Sequence, residues 1–535
     1  MSHRVSSALL PLHALLFAVV VLLSGLTGPA HAQSTAFKLA VAEAAADDPA
    51  LAAFYKARDY KGLWTTNRDR NRRSALLKAL DKAWVHGLPE ARYDAVGLRQ
   101  AFGAAKDPRA RGLLDVRASK VFLQYAQDIQ SGALTPSRVD SAIVRALPRR
   151  DRGEQIAAFS KSNPSRFIKA LPPSSGAYTR LLKAKLEMEK TIGAGGWGPQ
   201  VKASKLKPGQ TGPAVIALRD RLIRMGYLKR TVSASYDAAL QVAVQKFQRD
   251  HGLATDGVAA KITLGELNVE PQQRLQSILV GLERERWMNF NLGKRHIMVN
   301  IPDFHARVNE NGKEVFATRV VVGKNTSDRR TPEFSDEMDH MVINPTWNVP
   351  RSIATKEYLP KFQQDPNAHS YLRLIDASGR VVDRASVDFT QMTARNFPFD
   401  IKQPPSNRNA LGLVKFMFPN KHNIYLHDTP AKSLFGRESR AYSHGCVRVA
   451  DPFDFAYELL SKQESNPEGF FKTQLAKGKE TWVYLDKVVP VHLVYQTAFA
   501  PAKGNVQFRR DVYGRDAKLW SALSKAGVVP RAVQS

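Results

Sequence analysis

Only one cysteine, Cys446, occurs among the 535 residues. With no second thiol the chain cannot close an internal disulfide, so its stability must come from core packing and its thiol stays free. Acidic residues are scarce as well: there are 49, against 79 lysines and arginines, for a formal net charge of +30. An excess of this size favours an anionic partner. The basic residues are scattered, without a single stripe and interleaved aromatics, which argues against nucleic acid. Long apolar runs are missing beyond the N-terminus, so no later segment is expected to span a bilayer. The one such run extends from Ala8 to Leu26, behind His3 and Arg4, and is followed by Ala30-His31-Ala32. That order predicts a signal peptide over residues 1–32 with a mature start at Gln33; left uncleaved, the same run would serve as a membrane anchor. Export weighs further against nucleic acid and leaves an anionic cell wall or membrane surface as the partner that suits the charge.

A hydrophobic fraction of 43% in a chain of this length is enough for several separately cored domains. From residue 37 to 195 the pattern is helical, with Phe54, Tyr55, Leu63 and Trp64 opening it and apolar residues at three and four spacing from Lys120 to Ile129. Trp84, Leu88 and Tyr93 read as core of this scaffold. The run Gly193-Ala194-Gly195-Gly196-Trp197-Gly198-Pro199 breaks helix and strand alike and predicts a linker. Three short helices are expected between residues 205 and 270, the last two separated by the turn Asp256-Gly257. From Arg295 the apolar period changes to two, as in His296-Ile297-Met298-Val299-Asn300-Ile301 and Thr318-Arg319-Val320-Val321-Val322, and predicts a mainly β domain over 295–488. A polar insertion at about 351–405, with helical character in Ser352 to Phe362, could cap a cleft. Residues 489–535 form a C-terminal segment to which no chemistry is assigned. The expected fold class is thus multidomain α+β.

Chemistry concentrates near the lone thiol. Ile424-Tyr425-Leu426-His427-Asp428 is followed, after a polar loop, by Ser443-His444-Gly445-Cys446-Val447-Arg448-Val449. A free thiol is only a few per cent thiolate at neutral pH, so a cysteine nucleophile needs a base or a local positive field. His427 or His444 could provide it, and spacing alone does not choose between them. Gly445 permits a tight turn that could aim the Cys446 and Gly445 amides at a developing oxyanion. Tyr425 and His427, two apart in a strand, would face the same side, so the Tyr425 hydroxyl is a second oxyanion donor or simply a packed strand tyrosine. Arg448 could hold a substrate carboxylate or pair internally. Trp347, at the entrance to the insertion, could contact substrate or pack, and Ser443 is a further candidate for substrate contact.

His427, fifteen intervening residues and Ser443-His444-Gly445-Cys446 together resemble the active-site signature of L,D-transpeptidases. Asn344-Pro345-Thr346-Trp347-Asn348-Val349-Pro350, Asn409-Ala410-Leu411-Gly412 and Lys415-Phe416-Met417-Phe418-Pro419-Asn420 resemble the large multidomain subgroup of that family. Many members carry an asparagine two places after the cysteine, where Arg448 stands here. Leu206-Lys207-Pro208-Gly209, Val244-Gln245-Lys246-Phe247-Gln248 and Gly252-Leu253-Ala254-Thr255-Asp256-Gly257 resemble the small peptidoglycan-binding domain attached to many wall enzymes. The resemblance implies Cys446 as nucleophile, His427 as candidate general base and His444 in support. It also implies a two-step acyl transfer from a stem tetrapeptide, with loss of terminal D-alanine and formation of a 3→3 cross-link. Acylation by carbapenems, a periplasmic location and no metal or organic cofactor follow from the same likeness. Water or an outer-membrane protein amine are alternative acceptors. A zinc site on His427, His444 and Cys446 lacks an evident fourth ligand, and a purely wall-binding protein would not need the thiol and both histidines.

Overall fold

The computed structural model describes residues 29–533, so the expected signal peptide lies outside it except for the backbone of residues 29–32, which opens the helix Pro29–Ala45. Contacts divide the chain into two units. The first holds residues up to Ala133, Pro148–Ser174 and Lys525–Val529, and the second holds Leu134–Leu147, Ser175–Ser524 and the last residues. No helix among the described residues is long and apolar enough to cross a membrane.

The first unit is helical. Its longest helix, Pro108–Ser131, starts where the Asp107 side chain accepts the Ala110 amide and proline occupies the first turn, and it stops at Gly132, whose φ is +96°. Phe122 on this helix stacks on Phe159 at 4.2 Å, and Trp64 completes the cluster, 5.3 Å from Phe159 and 5.9 Å from Phe122. Asp115 is fully buried yet satisfied: its carboxylate accepts the amides of Leu63, Trp64 and Thr65 and the hydroxyls of Tyr55 and Thr65. One buried charge therefore folds the loop that carries Trp64. Leu88 and Tyr93 are buried as expected of core residues, whereas Trp84 is only partly so.

Within the second unit the helices Pro213–Arg224, Ala238–Asp250 and Lys261–Leu267 enclose Val215, Leu218, Leu222, Leu240, Val244, Phe247, Leu264 and Leu267. The Asp256-Gly257 turn is fixed by Gln248, which accepts the Gly257 amide at 2.9 Å and donates to Asp256 at 2.8 Å. The helix Gly176–Gly193 also belongs to this unit and packs along Pro271–Trp287.

The β-rich part begins with β1 (Arg295–Asn300), β2 (His305–Glu310), β3 (Lys313–Gly323) and β4 (Phe334–Ile343). The insertion contributes β5 (Trp347–Asn348), β6 (Arg373–Ile375), β7 (Val381–Val382) and β8 (Asp400–Gln403). The chain then returns through β9 (Val414–Met417), β10 (Leu426–His427), β11 (Ala441–Ser443), β12 (Val447–Val449) and β13 (Thr481–Val494). The larger sheet runs β11-β3-β12-β10-β9-β4-β13-β1-β2, and β2 pairs again with β3, so the sheet curls back on itself. Alternate residues fill its interior: Ile297 and Val299, Met341 and Ile343, Val414 and Phe416, Leu426, Val447 and Val449, and Val483 and Leu485. The helices Pro452–Leu460 and Pro467–Ala476 add Phe455, Leu459, Leu460 and Phe471 to that core. β13 continues past residue 488, pairing Val491 with Ile297, so the C-terminal segment starts inside the sheet.

The insertion is a small folded body rather than an irregular excursion. Its sheet runs β5-β8-β6-β7, and Trp347, Leu359, Phe362, Leu374, Phe389 and Ile401 form part of a separate apolar cluster. The helical stretch expected from Ser352 is present as Arg351–Ile353 and Leu359–Gln364, joined by a π-turn over Ala354–Tyr358.

Beneath the sheet runs a buried ionic network. Glu333 accepts from Arg284 at 2.5 Å and from Arg515 at 3.3 Å, and Arg284 also reaches Asp516 at 3.1 Å. Removing a partner from such a network strands a buried charge. Glu333→Ala should therefore destabilise the second unit by about 3–5 kcal/mol, measured as a lowered urea midpoint, while Glu337→Ala at an exposed site on β4 should barely move it.

Candidate active site

β10 and β12 run parallel, with Leu426 opposite Val447 and His427 opposite Arg448. Because Leu426, Val447 and Val449 point into the core, the alternating Tyr425, His427, Cys446 and Arg448 face the other way. They line a cleft of about 750 Å³. Its walls include Trp347, Glu357 and Tyr358 from the insertion, and Lys415, Ser443 and His444 from the large sheet and the cysteine loop. Lys415 lies opposite His427 on β9, so one lateral row reads Lys415, His427, Arg448.

His427 is held in one tautomer. Its Nδ1 lies 2.5 Å from the Asp428 carbonyl oxygen. A carbonyl only accepts, so Nδ1 carries the proton and Nε2 keeps its lone pair. Asp428 is itself fastened, its carboxylate accepting the Leu413 amide at 2.9 Å, the Thr429 amide at 2.6 Å and the Lys432 ammonium at 2.6 Å. Gly412 makes room for this: at φ +63° it lies so close that a Cβ would meet Asp428 Oδ2 at 2.2 Å. Burial, with the nearby Arg448 and Lys415 cations, pushes the imidazole down to about 3.

The thiol sits at the foot of the cleft with Sγ 3.5 Å from the Asn423 carbonyl oxygen. Asn423 presents that oxygen from a left-handed turn, φ +52°, braced by Asn420, whose amide donates to the Phe418 and Ile424 carbonyls. Burial raises the thiol to about 11, against the opposing pull of Tyr425, Arg448 and Lys415. Thiol and imidazole are therefore both neutral across the physiological range.

The turn preceding Cys446 needs glycine, since Gly445 adopts φ +126°. Its amide is already engaged, donating to Ser443 Oγ at 3.1 Å, and Ser443 Oγ in turn donates to the Cys446 carbonyl at 2.5 Å. The pairing of the Gly445 and Cys446 amides considered from sequence thus leaves only the Cys446 amide without a partner among the described residues. Ser443 is 2% exposed and shapes the turn. Tyr425 is half-buried, its hydroxyl standing against the thiol and the Trp347 indole. Trp347 both packs in the insertion's core and lines the cleft.

His444 is engaged with the insertion. Its Nε2 lies 2.7 Å from Glu357 Oε1, on the insertion, and the same carboxylate oxygen accepts from Arg329 at 2.6 Å. Arg448 makes no ion pair among the described residues, and its buried Nε has no hydrogen-bond partner. No group of three or more His, Cys, Asp or Glu among the described residues is placed to hold a metal ion.

Sequence reasoning missed several supports. Lys415 carries the signal of a lone polar residue among strand apolars, but its row depends on register. Thr331 donates to the Gly445 carbonyl at 2.7 Å and accepts the Gly323 amide at 2.9 Å. Tyr513, in the segment given no chemistry, donates to the Gly323 carbonyl at 2.5 Å, and Arg515 holds the Thr331 carbonyl at 2.9 Å. The C-terminal segment therefore buttresses the cysteine turn.

This arrangement has counterparts among known proteins. Residues 294–488 match the family described as the L,D-transpeptidase catalytic domain. The chain carries an L,D-transpeptidase catalytic domain. Residues 49–184 match a family described as a scaffold domain, and 211–267 one described as "Putative peptidoglycan binding domain". A curated protein of Haemophilus influenzae named "Putative L,D-transpeptidase" is 38% identical over 226 residues, or 42% of this chain and 45% of that one. The chain thus spans about half the length of the curated relative it matches. Solved L,D-transpeptidase structures from Stackebrandtia nassauensis and Xylanimonas cellulosilytica share 16% and 15% identity. Each covers 56% of this chain, over 97% and 98% of its own length, with TM-scores of 0.22 and 0.16.

A thiol held neutral by burial reacts slowly until it is deprotonated. Alkylation of Cys446 by iodoacetamide should therefore keep accelerating from about pH 7 to about pH 10, past the point near 8.5 where an ordinary thiol is half ionised. A plateau already at neutral pH in stopped-flow traces would instead show a resting thiolate.

Proposed function

We propose that this protein is an exported L,D-transpeptidase that forms 3→3 cross-links in peptidoglycan, with Cys446 as nucleophile and His427 as general base. The observation that carries the reading is the neutral couple lining one cleft: the Cys446 thiol and, on the neighbouring strand, the His427 imidazole, whose Nε2 is left free by the Nδ1 bond to Asp428. Such a pair suits proton transfer during attack rather than a preformed ion pair. The matched catalytic and peptidoglycan-binding domains point to the same substrate.

In the first step Cys446 Sγ bonds to the carbonyl carbon between the third and fourth residues of a stem tetrapeptide, and His427 Nε2 takes the thiol proton. The oxyanion meets the Cys446 amide and the Tyr425 hydroxyl. The C–N bond breaks, His427 protonates the departing amine, and D-alanine leaves a thioester behind. In the second step an amine on a neighbouring stem loses its proton to His427 and attacks the thioester, restoring the thiol. Arg448, unpaired and on the same face, holds a substrate carboxylate. Trp347 supplies an apolar wall, and Ser443 fixes the turn that carries Cys446. His444, bound to Glu357, positions the insertion rather than moving protons.

The parts divide the work: a helical scaffold over 37–195, wall binding over 205–270, and chemistry over 295–488 beneath a cap at about 351–405. The excess positive charge favours adhesion to an anionic wall in the periplasm.

Mass spectrometry of tetrapeptide muropeptides incubated with purified protein tests this. Cysteine-dependent 3→3 dimers with loss of D-alanine are expected. Tripeptide monomers alone would make it a carboxypeptidase, and unchanged muropeptides that require an outer-membrane protein acceptor would make it a tethering enzyme. Cys446→Ala should abolish acyl transfer, and His427→Ala should cost about 10²–10⁴-fold in rate. His444→Ala should cost much less, and the reverse order would transfer the base to His444.

A further inference from the structure

The outer face of the large sheet does not end at the cleft. Trp482 on β13 lies opposite Val342 on β4, Val342 opposite Lys415, Lys415 opposite His427, and His427 opposite Arg448. Residues in register share a face, and their neighbours Met341, Phe416, Leu426, Val447 and Val483 all point into the core. Trp482 therefore stands on the same face of the sheet as the reactive row, three strands from His427, with the buried Val342 between Trp482 and Lys415. With strands about 4.8 Å apart, that is about 14 Å.

Two large rings stand in water there. Trp482 is 51% and Tyr484 61% exposed, with centroids 6.4 Å apart and planes 32° from one another. Both rest on His340, which is buried beneath them: its ring stacks on Trp482 at 4.7 Å and 13°, and lies 5.2 Å from Tyr484. The Trp482 indole N–H donates to Glu480 Oε1 at 3.2 Å, while Glu480 Oε2 accepts the Thr346 amide at 2.6 Å. Thr346 lines the cleft. Trp482 is thus braced on His340 and joined to the cleft mouth by one carboxylate, with Tyr484 resting beside it.

We propose that Trp482 and Tyr484 form a stacking platform for the amino-sugar backbone of the peptidoglycan strand whose stem enters the cleft. The inference rests on the transpeptidase reading for the identity of the strand. A sugar ring offers a flat C–H face that matches an exposed aromatic ring, and a polar rim that needs hydrogen-bonding neighbours. Lys479, Glu480, Asp486 and Lys487 supply such a rim, all exposed and flanking the rings along the strand. Two rings ringed by charges are too small and too polar for the core of a stable protein interface, which buries at least ~1,000 Å² and is depleted in charged residues. Cys446, beside β12, lies four strands from Trp482, about 19 Å, whereas three extended stem residues span about 10 Å, so the sugar that bears the reacting stem falls short of the rings and sugars further along the same strand are the ones that reach them.

The test uses the full chain and glycan strands stripped of stem peptides, titrated by calorimetry. Trp482→Ala with Tyr484→Ala should weaken binding by about tenfold or more, and Trp482→Phe with Tyr484→Phe, which keeps both rings, should bind nearly as well as the parent. Release of D-alanine from a free tetrapeptide, which carries no sugar, should be unchanged in the double alanine variant. Equal binding by parent and double alanine variant, or no binding by the parent, overturns the platform. So does a matching loss of free-tetrapeptide turnover, which would mean that the rings only support the fold. If the parent fails on tetrapeptide yet binds strands through the two rings, the catalytic reading falls and the platform stands.

Discussion

The site depends on strand parity. With Leu426, Val447 and Val449 committed to the interior, the pleat leaves Tyr425, His427, Cys446 and Arg448 no direction but the cleft. A slip of one residue in either strand would exchange the two sets, placing an imidazole and a guanidinium among valines and phenylalanines. The energetic cost of that exchange ties the register of the sheet to the assembly of the site. The cysteine turn adds a second constraint, since a positive φ at Gly445 and the bonds from Ser443 and Thr331 fix where β12 begins.

Electrostatics follow from the same burial. Taking the thiol and the imidazole out of water disfavours the charged form of each, so they rest as a neutral pair. Lys415 and Arg448, on either side of His427, oppose its protonation while favouring negative charge nearby. Positive charge in the cleft thus attracts anionic groups without placing a proton on the base.

Much of this was readable from local patterns. The two-residue spacing of Tyr425 and His427 implies a shared face, and the period-two runs at His296 and Thr318 mark β1 and β3 because apolar alternation is a short-range signal. The strands of the insertion were hidden, since β6, β7 and β8 are only two to four residues long and sit among polar residues. Contacts distant in sequence were invisible for a different reason. His444 meets Glu357 across 87 positions and Tyr513 meets Gly323 across 190, and no local pattern encodes such meetings. The Gly445 amide shows a third limit: composition identified a flexible turn, but only the fold reveals that Ser443 already occupies one of its donors.

The insertion is fastened in two unequal ways. Its apolar cluster takes in Leu411 and the flank of Tyr425, whereas its π-turn meets the loop after β3 and the cysteine loop through Glu357, which faces Arg329 and His444, each about a third exposed. The exposed Arg329–Glu357 ion pair is of a kind worth about 0–1 kcal/mol that weakens with salt. The arrangement is a door with a firm hinge and a light catch, and thermal energy alone is enough to lift such a catch.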